Sequence, residues 1–175
     1  VIGIPVTLII PFIAGKIGKR NLVWTGCIFG FIGSVGVHFF KESILMVIVM
    51  SSLASIGVAF INGIIYVMCA ESVDYGEWKH KVRVQGFLMA FIGFAVKVSN
   101  SFVSMISTAI MNAGGYVGGS ETQTASAVNA IEFCYVGIPG ILFVVIFIVN
   151  IFYKLDKMYP QIQTELELRR AAIDQ

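Results

Sequence analysis

The chain has 175 residues, of which 57% are hydrophobic and only 13% are charged, and its net charge is +2. Soluble domains have about a quarter of their residues charged, so the apolar surface of this chain, with a mean hydropathy of +0.87, needs a lipid bilayer to cover it. The small net charge, carried by basic residues that are not gathered on one face, argues against nucleic acid as a partner.

Five apolar stretches predict an all-α, polytopic membrane protein with about five transmembrane helices. A spanning helix needs about 20 residues, and the first stretch is shorter and starts without a methionine. We therefore expect this stretch to be the end of a longer helix and the chain to be a fragment. The expected spans are 1–15, 22–40, 44–69, 84–111 and 131–153, which form one helix bundle over 1–153, and 154–175 form a polar tail.

Two of the spans have a distinctive face. The second has glycines at four- and three-residue spacing, which permits close helix packing: Gly26, Gly30 and Gly33. The third has a polar stripe at helical period: Ser51, Ser55, Asn62 and Tyr66. Serine hydroxyls often bond to their own helix backbone, so Ser51 and Ser55 are interpreted as packing positions. Asn62, near the centre of its span, is a better candidate for a substrate pathway.

The last polar segments have simpler interpretations. Residues 112–130 are rich in Gly, Ser, Thr and Asn and contain no lysine or arginine, which predicts a flexible loop. In the tail, Pro160 predicts the start of a short helix with Ile162 and Leu166 on one face.

The basic residues predict an orientation in the membrane. Cytoplasmic segments of membrane proteins have an excess of lysine and arginine. With five spans, ten of the twelve basic residues fall on one side, in the turn at 16–20, the segment 71–83 and the tail. Lys41 falls on the other side, and Lys97 lies within a span. The charged segment and the C-terminus are therefore expected in the cytoplasm, and the glycine-rich loop is expected to face outward.

Lys97 is the strongest functional candidate in the sequence. It lies about 13 residues from either end of its span, which is roughly 20 Å of helix on each side. A lysine at the centre of a bilayer costs on the order of 3 kcal/mol, so we expect it to face an aqueous cavity or an acidic partner. Its face continues as a polar stripe, as the wall of a pathway would: Asn100, Ser101, Ser104 and Thr108. A structural ion pair is the alternative interpretation.

The segment 71–83 contains three carboxylates and three basic residues within 13 positions: Glu71, Asp74, Glu77, Lys79, Lys81 and Arg83. On a helix, Glu71 and Asp74 would share a face. The segment could be a plain solvated loop, or its salt bridges could form in one state of a gate and break in another.

The sequence offers no catalytic pair and no metal site. Cys27, Cys69 and Cys134 lie far apart in apolar stretches, and neither His38 nor His80 has a companion at metal-ligand spacing. No nucleophile and base are predicted to converge, so an enzyme is not expected.

The string Ala70–Lys79, followed eighteen residues later by Lys97 within a span, resembles the glycoside–pentoside–hexuronide:cation symporters, of which the melibiose carrier is the type member. The basic turn Gly15–Arg20 is similar to the turn between the eighth and ninth spans of the wider major facilitator fold. Together these motifs cover essentially the whole chain, which would correspond to spans eight to twelve of twelve.

The resemblance implies a carrier made of two six-helix bundles that rock around a central sugar site in the cell membrane. Such carriers couple a sugar or glycoside to Na⁺, H⁺ or Li⁺, and need no other cofactor. The acids that bind the cation, and most sugar contacts, belong to the N-terminal half of the family. That half, the coupling cation, the sugar and the lipid bilayer are therefore the implied partners, and this chain would hold no metal by itself.

The resemblance also implies roles for particular residues. Lys97 corresponds to a family lysine near the sugar and cation sites, and Glu71, Asp74 and Glu77 correspond to a segment that helps to close the inner gate. Asn62 stands where the melibiose carrier has an aromatic residue facing the sugar, so the substrate can differ. The predicted pathway residues are Lys97, Asn62, Tyr66, Asn100, Ser101 and Ser104, and the predicted gate residues are Glu71, Asp74, Glu77, Lys79 and Arg83. A non-transporting helical scaffold is the alternative, but it leaves Lys97 unexplained.

Overall fold

The computed structural model of the chain describes residue 10 and residues 17–82, 84–120 and 122–173. Every regular element in these ranges is helical, which confirms the predicted all-α fold. The elements are α1 (Lys19–Phe39), α2 (Ile44–His80), α3 (Gln85–Ala113), α4 (Ala125–Glu132), a π-helix (Phe133–Gly137), α5 (Ile138–Ile151) and α6 (Leu155–Ile173).

Within the described ranges, four helical segments are long and apolar enough to cross a membrane. They are α1, α2, α3 and the run Ala125–Ile151, which joins α4, the π-helix and α5. The predicted first span, 1–15, lies outside the described residues except for Ile10, which is buried against Leu22 and Ile64. The described helices thus agree with the prediction of a multi-pass membrane protein.

Helix α1 lies between α2 and α5, and its glycines allow the close contacts. A Cβ atom added to Gly33 would lie 2.5 Å from a backbone nitrogen of α2, and one added to Gly57 of α2 would lie 2.5 Å from the Gly26 carbonyl oxygen. Towards α5, a Cβ atom added to Gly30 would lie 2.3 Å from the ring of Phe143. A larger side chain at Gly33 or Gly57 would push α1 and α2 apart, because backbone atoms occupy the space, and one at Gly30 would displace the ring of Phe143.

Helix α2 is longer than a bilayer requires. Its 37 residues span about 55 Å, whereas the hydrocarbon core is about 30 Å thick. The charged residues 71–80, which the sequence left as either a loop or a helix, form its last three turns. The helix ends at Lys81, which has a positive φ of 58° and whose N–H donates a 2.8 Å bond to the Glu77 carbonyl oxygen.

The loop after α3 is shorter than the predicted 112–130, because helix continues to Ala113 and resumes at Ala125. The Thr124 hydroxyl accepts a 3.2 Å bond from the Ala127 N–H and so caps α4. Within the loop, the Gln123 side chain bonds both the carbonyl oxygen and the N–H of Val117, at 2.7 and 3.2 Å. These bonds give the loop an internal structure that its composition alone did not indicate.

A π-helix, which has more residues per turn than an α-helix, connects α4 to α5. Its bonds include the Ile138 N–H to the Phe133 carbonyl oxygen, one residue farther back than in an α-helix. Pro139 follows in the first turn of α5 and has no N–H to give to the carbonyl four residues earlier. The local pattern of backbone bonds therefore changes at this point, although the chain remains helical throughout.

Helix α6 packs against the last turns of α2. Its buried side chains include Ile162 and Leu166, the pair that the sequence placed on one face. The predicted start at Pro160 is wrong, since the helix begins at Leu155 and contains the proline in its second turn. The residue before a proline disfavours helical angles. Here that residue is Tyr159, and its hydrogen bond to Asp74 of α2 holds it in the helix.

Candidate functional site

Residues 71–80 of α2, together with α6 and the first turn of α1, form a layer that we call the charged end. Its three carboxylates, Glu71, Asp74 and Glu77, follow each other at three-residue spacing and so lie along one side of the helix. Each accepts a hydrogen bond from a side chain outside α2: Glu71 from Tyr153, Asp74 from Tyr159 and Glu77 from Arg170.

Glu71 is the most deeply buried of these acids, with 2% of its surface exposed. Its carboxylate pairs with the Lys19 ammonium of α1 and accepts a 3.2 Å bond from the Tyr153 hydroxyl. Burial raises the pKa of Tyr153 to about 12, so its hydroxyl keeps the proton that it donates. A buried carboxylate is costly unless it is paired and hydrogen-bonded, and these two partners meet that need from two different elements.

Asp74, one turn farther along, is joined to α6. The Tyr159 hydroxyl donates a 2.9 Å bond to its carboxylate, and an Arg170 nitrogen lies 3.9 Å from the other oxygen. Burial and the bond to Asp74 raise the pKa of Tyr159. The Lys19 ammonium also lies 4.7 Å from the centre of the Tyr159 ring, so the Glu71 and Asp74 contacts share members.

Glu77 and Trp78 fasten the far end of α6. Arg170 donates to both carboxylate oxygens of Glu77, at 2.8 and 3.4 Å, and this hydrogen bonding raises the pKa of the guanidinium. The Trp78 indole N–H donates a 2.6 Å bond to Glu165. These partly exposed pairs are screened by water, so they position α6 more than they stabilise it.

The structure thus gives partners to the predicted gate residues Glu71, Asp74 and Glu77. Lys79 is exposed, with its ammonium 5.7 Å from the centre of the Tyr75 ring, and Arg83 lies outside the described residues. The sequence alone did not indicate the partners of the three acids, which lie in α1 and after α5: Lys19, Tyr153, Tyr159 and Arg170. A signal was present, because the tail and the residue before it contain two tyrosines and two arginines around an apolar pair at helical spacing.

The start of α1 is held to the same layer. Gly18 has a positive φ of 87°, and a Cβ atom there would lie 3.3 Å from a carboxylate oxygen of Asp156. That oxygen accepts a 3.3 Å bond from the Arg20 N–H. A carboxylate at the first turn of a helix is favourable because the N-terminus has a partial positive charge and unbonded N–H groups.

Lys97 and its predicted companions lie on an exposed face of α3. Asn100, Ser101 and Ser104 line a groove of about 750 Å³, and the Ser101 hydroxyl donates a 3.2 Å bond to the Lys97 carbonyl oxygen. The groove also includes Thr108, which the sequence placed on the same polar face, and it extends to Met105, Ala109 and Asn112. Because every lining residue belongs to α3, the described part of the chain supplies one wall of this groove.

Asn62 and Tyr66 lie one turn apart on α2 and are both exposed. Neither lines the groove beside Lys97, so the described residues do not bring the two predicted halves of the pathway together. The serines of the same stripe bond within α2, as expected: Ser55 donates 2.8 Å to the Ser51 carbonyl oxygen. In the described ranges, no group of three or more histidine, cysteine or acidic residues could hold a metal ion.

Comparison with known proteins identifies the family. The model of the MFS/sugar transport protein family matches residues 1–157. The chain belongs to this family. Its relatives bear the names of carriers, which confirms the predicted kinship with the glycoside–pentoside–hexuronide:cation symporters and the prediction that the chain is not an enzyme.

Three relatives illustrate the range of the family. The chain is 36% identical to the isoprimeverose transporter of Lactiplantibacillus pentosus over 166 residues, 94% of this chain and 34% of that protein. It is 29% identical to the uncharacterized symporter YnaJ of Bacillus subtilis (95% and 37%). It is 25% identical to the glucuronide carrier protein homolog of Escherichia coli (93% and 36%). The chain spans about a third of the length of these curated relatives.

Proposed function

We propose that the full-length protein is a secondary active transporter that moves a sugar or glycoside through the cell membrane together with a cation. The observation that carries this proposal is the polar face of α3 around Lys97, on a helix long and apolar enough to span a bilayer. Exposing a cation and a row of hydroxyl and amide groups to hydrocarbon costs free energy, so this face is expected to contact water or protein. They suit an aqueous path in which a polyol exchanges its water bonds for protein bonds.

A glycoside is the proposed class of substrate. One relative, 36% identical, is named an isoprimeverose transporter, and another is named a glucuronide carrier homolog. The groove beside Lys97 offers both donors and acceptors through Asn100, Ser101 and Ser104, which is what several sugar hydroxyls require. Asn62 and Tyr66 would contribute from α2 once the two helices enclose the sugar.

The coupling ion in this proposal is Na⁺ or H⁺, bound mainly by the N-terminal half of the full-length protein. Support comes from relatives that are named symporters. Lys97 would act as an organising cation whose charge interacts with the ion site. The excess of basic residues at 16–20, 71–83 and the tail supports a cytoplasmic location for the charged end and the C-terminus.

The charged end would serve as the inner gate. Glu71 holds α1 through a buried ion pair with Lys19, whereas Asp74 and Glu77 hold α6 through ion pairs and hydrogen bonds that are partly open to water. Such bonds can be exchanged for others at little cost, which suits a contact that must open and close in every cycle. Alternating access would then come from rocking of the two halves around the sugar at mid-membrane.

The test is uptake by the purified full-length protein in proteoliposomes. A panel of glycosides that includes isoprimeverose would be offered under an inward Na⁺ gradient, an inward H⁺ gradient or neither. We expect accumulation of at least one glycoside above its external concentration only when a gradient is present. Equal uptake with and without gradients would contradict symport but leave sugar transport, and no uptake of any glycoside would contradict the substrate class.

A further inference from the structure

A second cluster of charges lies at the end of the bundle away from the charged end. Glu132, the last residue of α4, pairs with the imidazole of His38 near the end of α1. Its other oxygen lies 3.4 Å from the Lys41 ammonium in the turn between α1 and α2. One carboxylate of α4 thus connects this helix to the end of α1 and to the turn that follows it, across more than ninety residues of sequence.

Helices α3 and α4 form a tight hairpin on one side of this cluster. A Cβ atom added to Gly114 would lie 2.5 Å from the Cβ of Ala130 and 3.1 Å from the Ser126 carbonyl oxygen. Ala127 is fully buried in the same contact region, and Thr124 caps the helix. The close contact makes the outer end of α3 and the whole of α4 a unit, so a displacement of α4 displaces α3 and its groove.

The chain on the other side of the cluster is anchored differently. The π-helix begins at Phe133, directly after Glu132, and α5 follows. Helix α5 packs on α1, with Phe143 against Gly30 and the ring of Phe147 tilted by 36° to that of Trp24, their centres 5.4 Å apart. The π-helix is therefore the joint between the hairpin and the α1–α2–α5 block, and interruptions of the α-helical bond pattern are where helices bend.

The cluster is well placed to hold this joint in one position. His38 and Lys41 are 54% and 59% exposed, so water competes for both contacts and they can open readily. The Tyr135 hydroxyl adds a long 3.4 Å bond from the π-helix to Ser51 of α2. Among the described elements, α4 also contacts α3 and the π-helix that follows it.

We propose that Glu132 with His38 and Lys41 forms a catch that holds the α3–α4 hairpin against the α1–α2 turn, and that transport requires this catch to open about the π-helix. The inference rests on the proposed transport function, because opening matters only if the groove of α3 lines a path. It adds a moving part within this half of the protein to the rocking of one half against the other.

The experiment locks the catch covalently in the full-length protein after its native cysteines have been replaced. Cysteines at His38 and Glu132 are oxidised to a disulfide, uptake is measured in proteoliposomes, and dithiothreitol then releases the bond. We expect the oxidised protein to lose at least tenfold in initial uptake rate and the reduced protein to recover it. Unchanged uptake after complete cross-linking would overturn the proposal.

A control cysteine pair and a second locking pair test whether any loss of uptake comes from locking the catch. Cysteines at His38 and Lys41 lie on the same side of the catch, so oxidation of this pair should leave uptake equal to that of its reduced state. Cysteines at Lys41 and Glu132 form an independent locking pair. Failure of both locking pairs to cross-link would also overturn the proposal, because the residues would not meet in the membrane.

Hydrogen exchange provides a readout that does not depend on sugar. The backbone amides of residues 133–138 should exchange more slowly in the oxidised His38–Glu132 pair than in the reduced one, since the joint would be fixed. A protein that transports no glycoside but shows this slowing would contradict the proposed function and support the catch. Equal exchange in both states would overturn the catch whatever the uptake.

Discussion

Tyr159 donates a 2.9 Å hydrogen bond to Asp74, although 85 residues separate the two in sequence. The bond connects α6 to the last turns of α2 and lies between the Glu71 and Glu77 contacts. Tyr159→Phe should therefore loosen α6 without removing its apolar contacts, and lower the free energy of unfolding by about 1 kcal/mol. Thermal unfolding of the full-length protein in detergent, with limited proteolysis of the tail, measures both effects.

The control for this change is Tyr116→Phe, which makes the same chemical change in the exposed loop after α3. It should leave both the melting temperature and the proteolysis of the tail unchanged. Equal effects of the two substitutions would mean that the bond to Asp74 does not hold α6.

The ion pair between Lys19 and the buried Glu71 predicts strong coupling between two substitutions. Lys19→Met leaves a carboxylate that is 2% exposed without its cation, and should cost about 3 kcal/mol. Glu71→Leu in the same protein should recover most of that loss, because no buried charge remains. Melting temperatures of the two single variants and the double variant measure the coupling, and additive losses would contradict it.

Lys97→Ala should abolish coupled uptake of sugar in the full-length protein while expression and melting temperature stay near wild type. The reason is that the ammonium lies on the polar face of α3 and not in a packed core, since α3 contributes no buried residue among those described. Lys154→Ala, which removes an exposed lysine after α5, is the matched control and should leave uptake unchanged. Normal accumulation of sugar in Lys97→Ala would remove the lysine from the pathway.

The crossing of α1 and α2 predicts opposite effects for two glycines of the same helix. A Cβ atom at Gly57 would lie 2.5 Å from backbone atoms of α1, so Gly57→Ala should cost about 1–3 kcal/mol. Gly76 has nothing within 4 Å, so Gly76→Ala should stabilise α2 by up to about 1 kcal/mol through helix propensity. The melting temperatures of the two variants measure these effects. An equal change in both would contradict the close crossing of α1 and α2.

Tyr153 predicts a pH dependence in alkaline solution. Burial raises its pKa to about 12, above the ordinary value of 10, so the folded state keeps the proton longer than the unfolded state does. The resulting stabilisation is complete below about pH 10 and is lost as the pH rises towards 12. Tyr153→Phe should reduce the fall in melting temperature over this range, whereas Tyr116→Phe should not. An equal fall in both variants would show that another group is responsible.

Several features of the fold could be predicted because they depend on local patterns. Hydropathy and length identify the helices that can cross a bilayer, since hydrocarbon requires about 20 apolar residues in a row. The spacing of Gly26, Gly30 and Gly33 indicated a packing face, and the structure places α2 and α5 against it. The spacing of Ile162 and Leu166 likewise indicated the buried side of α6.

Other features depend on contacts between distant parts of the chain. Hydropathy shows where the membrane ends but not where a helix ends, so the continuation of α2 to His80 could not be settled from the sequence. His38 had no partner within its own segment, and the structure pairs it with Glu132, 94 residues away. The partners of Glu71, Asp74 and Glu77 come from α1 and the tail, and no periodicity within α2 indicates them. Lys97 and Asn62 stay predictions as pathway residues.

The uninterrupted length of α2 has a mechanical consequence. The helix contains no proline and carries Tyr66 and Glu77 on one rod, about 17 Å apart along its axis. A continuous helix without a kink moves largely as one body, so a tilt or rotation of one end also moves the other end. A displacement that α6 imposes on the last turns of α2 therefore also moves the turn that carries Tyr66, although α6 does not contact that turn by any bond described above.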